Sequence, residues 1–163
     1  MNKSSDTSSS PRKTKKTVRL IGLLALLSLL IIQFIPVDRT VPEINRTDTF
    51  YAIEKPDDGI ADLLHAACDD CHGYTTEYPT YSYFAPVSFW LQGHIKAGRE
   101  KLNFSTWSDL SASERRHAME ECVKVMEDER MPLGSYTWTH EEARLTDQQE
   151  EALLQYFRRA AEK

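Results

Sequence analysis

The chain has 163 residues, 40% of them hydrophobic and 28% charged, with a net charge of −5. That is room for one ordinary domain plus a tail or anchor, with enough apolar material for a core. Lys3, Arg12, Lys13, Lys15, Lys16 and Arg19 face only Asp6 in the N-terminal stretch, so the remainder is distinctly acidic. An acidic domain argues against nucleic acid as a partner, because phosphate binding relies on basic surface, and it suits docking onto a basic protein.

Residues 1–17 are rich in Ser, Thr and Lys and lack hydrophobic periodicity, which predicts a disordered cytoplasmic tail. The densest apolar run follows at residues 20–35, interrupted only by Gly22, Ser28 and Gln33. Arg19 can snorkel toward headgroups and bring Val18 into the run, giving a span of residues 18–35. Gln33-Phe34-Ile35-Pro36-Val37-Asp38 holds no small-x-small cleavage site, which favours an uncleaved anchor over a removed signal peptide, and with Cys68 as the first cysteine a lipoprotein signal does not fit. The expectation is an uncleaved signal anchor: one transmembrane helix, in contact with membrane lipid. Its basic flank stays cytoplasmic and the rest of the chain is exported to the periplasmic side. Residues 36–55, with Pro, Asp, Thr and Asn among scattered apolar residues, read as a linker. It closes on a short extended piece, Phe50-Tyr51-Ala52-Ile53.

Residues 56–163 are expected to form the domain, and they read as all-α. Asp57 or Asp58 can cap a first helix that ends at about Cys71, with Ile60, Leu63, Leu64, Ala67 and Cys71 at helical spacing. An aromatic-rich loop from Tyr74 to Phe84 leads to a second helix. It opens at Pro86 and runs to about Leu102, with Val87, Trp90, Leu91 and Ile95 on one face. A third helix opens on the capping box Ser111-Ala112-Ser113-Glu114 and carries Met119, Cys122, Val123 and Met126 as an apolar stripe. Met131 precedes a proline, which disfavours the helical conformation, so it lies beyond that helix. A fourth helix starts at Thr146, boxed by Gln149, and buries Leu153, Phe157 and Ala160 beside Ala152 and Tyr156. No segment alternates convincingly as a strand.

Three cysteines, two of them only three positions apart, make a poor disulfide framework for an exported domain. In Cys68-x-x-Cys71-His72 the two thiols are spaced to add across the two vinyl groups of a haem. The adjacent histidine can swing beneath the iron as its proximal ligand. A redox disulfide would need a βαβ setting, and a structural zinc would need a second Cys/His pair at short spacing; the sequence offers neither. One covalently held haem c is the expected cofactor.

For the distal side of the iron, Met131 is the leading candidate, because its loop position frees it from a helical face. His94, on the inward face of the second helix, is the runner-up, and an open site is the third possibility. Met119 and Met126 read as core filler, while His65 and His117 lie off their stripes and His140 is in a loop. Cys122 reads as a small buried hydrophobe, with an intermolecular disulfide as the minor alternative. Arg99 is placed to pair with a haem propionate, whereas Lys101 reads as solvated surface.

These residues also carry a resemblance. Beside the Cys68-x-x-Cys71-His72 motif stand Tyr78-Pro79-x-Tyr81, Ala85-Pro86-Val87-Ser88, His94, Met131-Pro132, Tyr136 and His140. More specific than the haem motif is the run Gly98-Arg99-Glu100-Lys101-Leu102-Asn103-Phe104-Ser105-Thr106-Trp107. The chain resembles the bacterial haem-binding domain family of membrane-anchored monohaem cytochromes c. The resemblance implies a cytochrome c-like helical domain with His72 and Met131 as axial ligands. Thr80, where the family pattern has tryptophan, and Cys122 depart from it.

The leading functional expectation is a one-electron carrier, held near the membrane for a redox partner protein, with no catalytic residue assigned. The alternative is a haem peroxidase or a gas or redox sensor, which needs an open distal position and a polar group such as His94. A non-haem structural or redox-thiol protein is the third.

Overall fold

The structure is a computed structural model that describes residues 11–162. It is all-helical, with no strand among the described residues. Helix α1 (Pro11–Ile32) takes in residues 11–17, which were expected to be a disordered tail; residues 1–10 of that tail lie outside the described residues. Every large apolar side chain of α1 from Val18 to Ile31 is exposed. Among the described residues no helix is long and apolar enough to cross a membrane. Lys15, Lys16 and Arg19 occupy the early turns of α1, so its uncharged part is residues 20–32. At 1.5 Å per residue that part is ~20 Å long, short of a hydrocarbon core of ~30 Å. Gln33, Phe34 and Ile35, the rest of the expected span, close the helix in turns.

The expected linker ends earlier than residue 55, and its last piece is helical. Thr49 caps α2 (Phe50–Glu54) by accepting from the Ala52 N–H at 3.3 Å. A single turn is unstable alone, and burial supplies the difference. Phe50 is completely enclosed, its ring 4.9 Å from Phe104 and 5.0 Å from Trp107, edge-on to the latter. Full burial of a side chain of this size contributes about 1.5–3 kcal/mol. The Trp107 indole donates to Glu54 at 2.8 Å, so the largest core residue brings no unpaired donor inside.

Asp57 caps α3 (Asp58–Ala67), accepting from the Ile60 N–H at 3.0 Å. The helix does not reach Cys71 as expected. Cys68 turns away with φ −128°, and a separate short helix, α4 (Asp69–His72), carries the rest of the motif. The loop after it includes a 3-10 turn at Thr80–Tyr83 and leads into α5 (Val87–Lys101). A second 3-10 segment, Phe104–Asp109, presents Phe104 and Trp107 to the core.

Helices α6 (Ala112–Glu127) and α8 (Asp147–Ala161) both open on complete capping boxes, at Ser111 with Glu114 and at Thr146 with Gln149. They form the most extensive helix pair of the domain. Met119, Cys122 and Met126 from α6 meet Leu153, Leu154 and Phe157 from α8 in one core with Phe50, Ile60 and Leu64. Between these two helices lie the Met131-Pro132 loop, the short α7 (Gly134–Thr137) and a 3-10 turn at Glu141–Ala143.

The inward face of α5 keeps Ile95 and the half-buried Leu91 of the expected stripe but not its first half. Ser88 and Ile95 are buried, while Val87 and Trp90 are 41% and 48% exposed. The reason is a close approach farther along: a Cβ on Gly98 would stand 2.7 Å from the Cys71 carbonyl oxygen. Packing backbone to backbone at Gly98 fixes the helix's rotation, and the Val87–Trp90 stripe turns outward.

Candidate functional site

His72 is the best-defined part of the site. Its Nδ1 lies 3.1 Å from the Leu102 carbonyl oxygen, which can only accept, so Nδ1 carries the proton and Nε2 keeps its lone pair. Burial lowers the imidazole's pKa and keeps it neutral, although the backbone around Leu102 and Gly98 pulls the other way. A neutral, oriented imidazole with one free nitrogen is the form that ligates a metal, and a carbonyl on the other nitrogen is the usual orienting partner.

The two aspartates inside Cys68-Asp69-Asp70-Cys71 hold the motif from opposite ends of the sequence. Asp69 is buried, accepting from the Tyr51 hydroxyl at 2.8 Å and pairing with His65 Nδ1 at 2.6 Å. Burial pushes its carboxyl pKa up, against the pull of the Tyr51 and His65 contacts. Asp70 accepts from the Tyr136 hydroxyl at 2.9 Å and from the Glu77 N–H at 2.9 Å. Tyr136 also reaches the Ala66 carbonyl at 3.3 Å and stacks on His140 at 4.0 Å. Spacing in the sequence does not signal these partners, since Tyr51 and Tyr136 stand 18 and 66 residues from the aspartates they hold.

Arg99 folds back over the motif's exit. Its Nε donates to the Gly73 carbonyl at 2.8 Å and its Nη2 to Thr76 at 2.9 Å, with the guanidinium over the Tyr74 ring. Arg99 therefore already has backbone and hydroxyl acceptors while also lining the cavity described next.

A cavity of about 740 Å³ opens beside His72. Cys68, His72, Arg99, Cys122 and Met131 all line it, with Leu102, Phe104, Met126, Leu153 and Phe157 supplying apolar wall. Cofactor sites are commonly ~300–1,000 Å³ and mostly apolar, with a few placed polar groups. Cys71 does not line the cavity; it sits against Gly98. All three cysteines are free, and desolvation keeps them as thiols, raising the pKa of Cys71 to about 11 and that of Cys122 to about 12, with Cys68 pushed higher still. His94 is not part of the cavity. It accompanies the outward-turned stripe of α5, its ring 4.2 Å from Trp90 and its Nδ1 bonded to the Trp90 carbonyl at 2.9 Å. Lys101 lines the cavity rim although its side chain is exposed. Met119 packs in the core, while Met126 serves both the core and the cavity wall.

The donor set and the space fit a haem: an oriented neutral imidazole, a thioether and the Cys68 thiol line a largely apolar cavity of cofactor size, with Cys71 one turn away against Gly98. Residues 27–159 match the family model described as the haem-binding domain. No curated protein and no solved structure matches the chain.

Proposed function

The chain belongs to the haem-binding domain family, and from that premise we propose that it is a membrane-anchored monohaem c-type cytochrome transferring single electrons on the exported side of a bacterial inner membrane. The observation that carries this reading is His72, locked by Leu102 with Nε2 free beside the cavity that Met131 also lines. Bound there, a haem supplies a one-electron couple whose potential is raised by methionine ligation.

The chain's own residues divide the work. Cys68 and Cys71 would hold the haem covalently through thioethers, His72 would ligate the iron, and Met131 would complete its coordination. Asp69 and Asp70 fasten the motif to Tyr51 and Tyr136, so that the histidine keeps its place. Leu153, Phe157 and Phe104 make a water-poor wall, which spares an electron carrier the cost of reorganising solvent at each transfer. Arg99, whose Nε and Nη2 serve Gly73 and Thr76, would offer a propionate the rest of its guanidinium. The partner is a redox protein, and the acidity of the exported part favours one with a basic face.

The anchor rests on α1. A helix whose apolar side chains are exposed on all sides suits lipid, and its basic flank suits the cytoplasmic headgroups. Val18, inside α1 across Arg19, and the turn residues Phe34 and Ile35 beyond its end lengthen the apolar segment on both sides. The peroxidase or sensor alternative has less support, since His94, its polar candidate, packs against Trp90.

The test is a denaturing gel stained for haem, run on the chain made together with a haem-attachment system. Haem travelling with the polypeptide is expected, and a haem-free band refutes the covalent reading. The oxidised protein is also expected to show the iron–methionine charge-transfer band. Absence of that band together with ready carbon monoxide binding returns the open-site alternative.

A further inference from the structure

Residues 78–95 contain no Asp, Glu, Lys or Arg, in a chain that is 28% charged, and six of those eighteen residues are aromatic. The structure does not bury all of this apolar material. Tyr83 and Phe84 are each 60% exposed, and Val87 and Trp90 follow them outward on α5.

The same segment is tied to the end of α1. Gln33 makes a two-way pair with Ala85: its Nε2 donates to the Ala85 carbonyl at 3.0 Å, and its Oε1 accepts from the Ala85 N–H at 3.0 Å. Arg39 donates to the Ser82 carbonyl through Nη2 at 2.7 Å and through Nε at 3.2 Å, and its guanidinium lies 4.5 Å from the centre of the Tyr83 ring. Chain residues 33–39 thus hold the aromatic segment at the C-terminal end of the apolar helix. Phe34 and Ile35, both exposed, continue the apolar surface from one to the other.

We propose that Tyr83, Phe84, Val87 and Trp90, with Phe34 and Ile35, form a surface that rests in the interfacial zone of the bilayer holding α1. This rests on the reading of α1 as a membrane anchor. The chemistry favours lipid as the occupant. Tyrosine and tryptophan pair an apolar body with a polar tip and concentrate at the headgroup level. The rest of the exported part is acidic and would be repelled by anionic headgroups, so an uncharged face flanked by Arg39 is the side that can approach them. The haem domain then lies down on the membrane in a fixed pose instead of swinging on a loose tether.

The experiment uses the full haem-loaded chain in phosphatidylcholine–phosphatidylglycerol liposomes, with photoreactive benzoylphenylalanine placed singly at Leu27, Phe84, Trp90 or Arg116, and identifies adducts by mass. Leu27 reports on the anchor, and Arg116, an exposed position on α6, gives the background. The expected result is phospholipid adduct at Phe84 and Trp90 of the same order as at Leu27 and well above Arg116. Lipid adduct at Leu27 with only background at Phe84 and Trp90 overturns this proposal and leaves the anchor standing. Background at Leu27 overturns the anchor and this proposal with it. Adducts to protein in place of lipid at Phe84 and Trp90 mark a protein-docking face, and they too overturn it.

Discussion

The two sides of the cavity are built differently. His72 sits in a segment gripped from several directions: the Leu102 carbonyl on its ring, Tyr51 and His65 on Asp69, Tyr136 and Glu77 on Asp70, and the backbone of α5 pressed against Cys71 at Gly98. Met131 sits in a loop whose backbone ties back to Val125 at 3.2 Å, and whose continuation reaches the motif through Tyr136. His72 is positioned by the packed fold, whereas Met131 depends on a loop that can be perturbed without unmaking the core. With the haem held as proposed, such an arrangement would make attachment robust and leave the Met131 side as the tunable part.

Substitutions separate the two sides, beginning with the largest effect. Cys68→Ala together with Cys71→Ala should abolish haem staining on a denaturing gel completely, whatever loop Met131 occupies. Met131→Ala should leave covalent haem in place while removing the charge-transfer band and lowering the midpoint potential in a redox titration, because the methionine thioether is what raises it. If that variant instead loses its haem, the two sides are not independent and the contrast fails. Gly98→Ala forces a methyl group against the Cys71 backbone, which cannot swing aside as a side chain would. Overpacking of this kind costs about 1–3 kcal/mol, read as a lowered denaturation midpoint. The smallest effect should come from Tyr136→Phe, which removes one hydroxyl bond to Asp70 while Glu77 still serves that carboxylate. The expected loss is about 1.5 kcal/mol in chemical denaturation, the low end for a bond to a carboxylate that keeps another donor. Easier displacement of Met131 by carbon monoxide should accompany it, since this bond links the loop's continuation to the motif.

Local signals in the sequence carried a large part of this. The capping boxes at Ser111 and Thr146, the Met119–Cys122–Met126 stripe and the cap at Asp57 are short-range features, and the structure contains each of them. What escaped is nonlocal. The turn at Phe50–Glu54 exists because Phe50 fits between Phe104 and Trp107, more than fifty residues away, and nothing in four polar-flanked residues announces that. Of the α5 stripe Val87, Trp90, Leu91 and Ile95, Ile95 is buried and Leu91 half-buried, but Val87 and Trp90 turn outward, and the contact that decides the rotation is an absent side chain at Gly98. His94 follows Trp90 out of the cavity. The aspartates between Cys68 and Cys71 occupy positions that the motif leaves blank, so their bonds to distant tyrosines had no pattern to reveal them.

Gly98 has a mechanical meaning as well. It pins one end of α5 to the Cys68–His72 motif, and the other end begins at Val87 beside the aromatic patch; eleven residue steps at 1.5 Å make a strut of ~16 Å between them. With the patch resting on lipid as proposed, the strut is a spacer that sets how high the motif rides above the membrane surface and which edge it offers to a partner. A single residue inserted between Trp90 and Gly98 would lengthen the strut by only ~1.5 Å but turn one end against the other by about 100°. Orientation, more than distance, is therefore the property that the length of this helix protects.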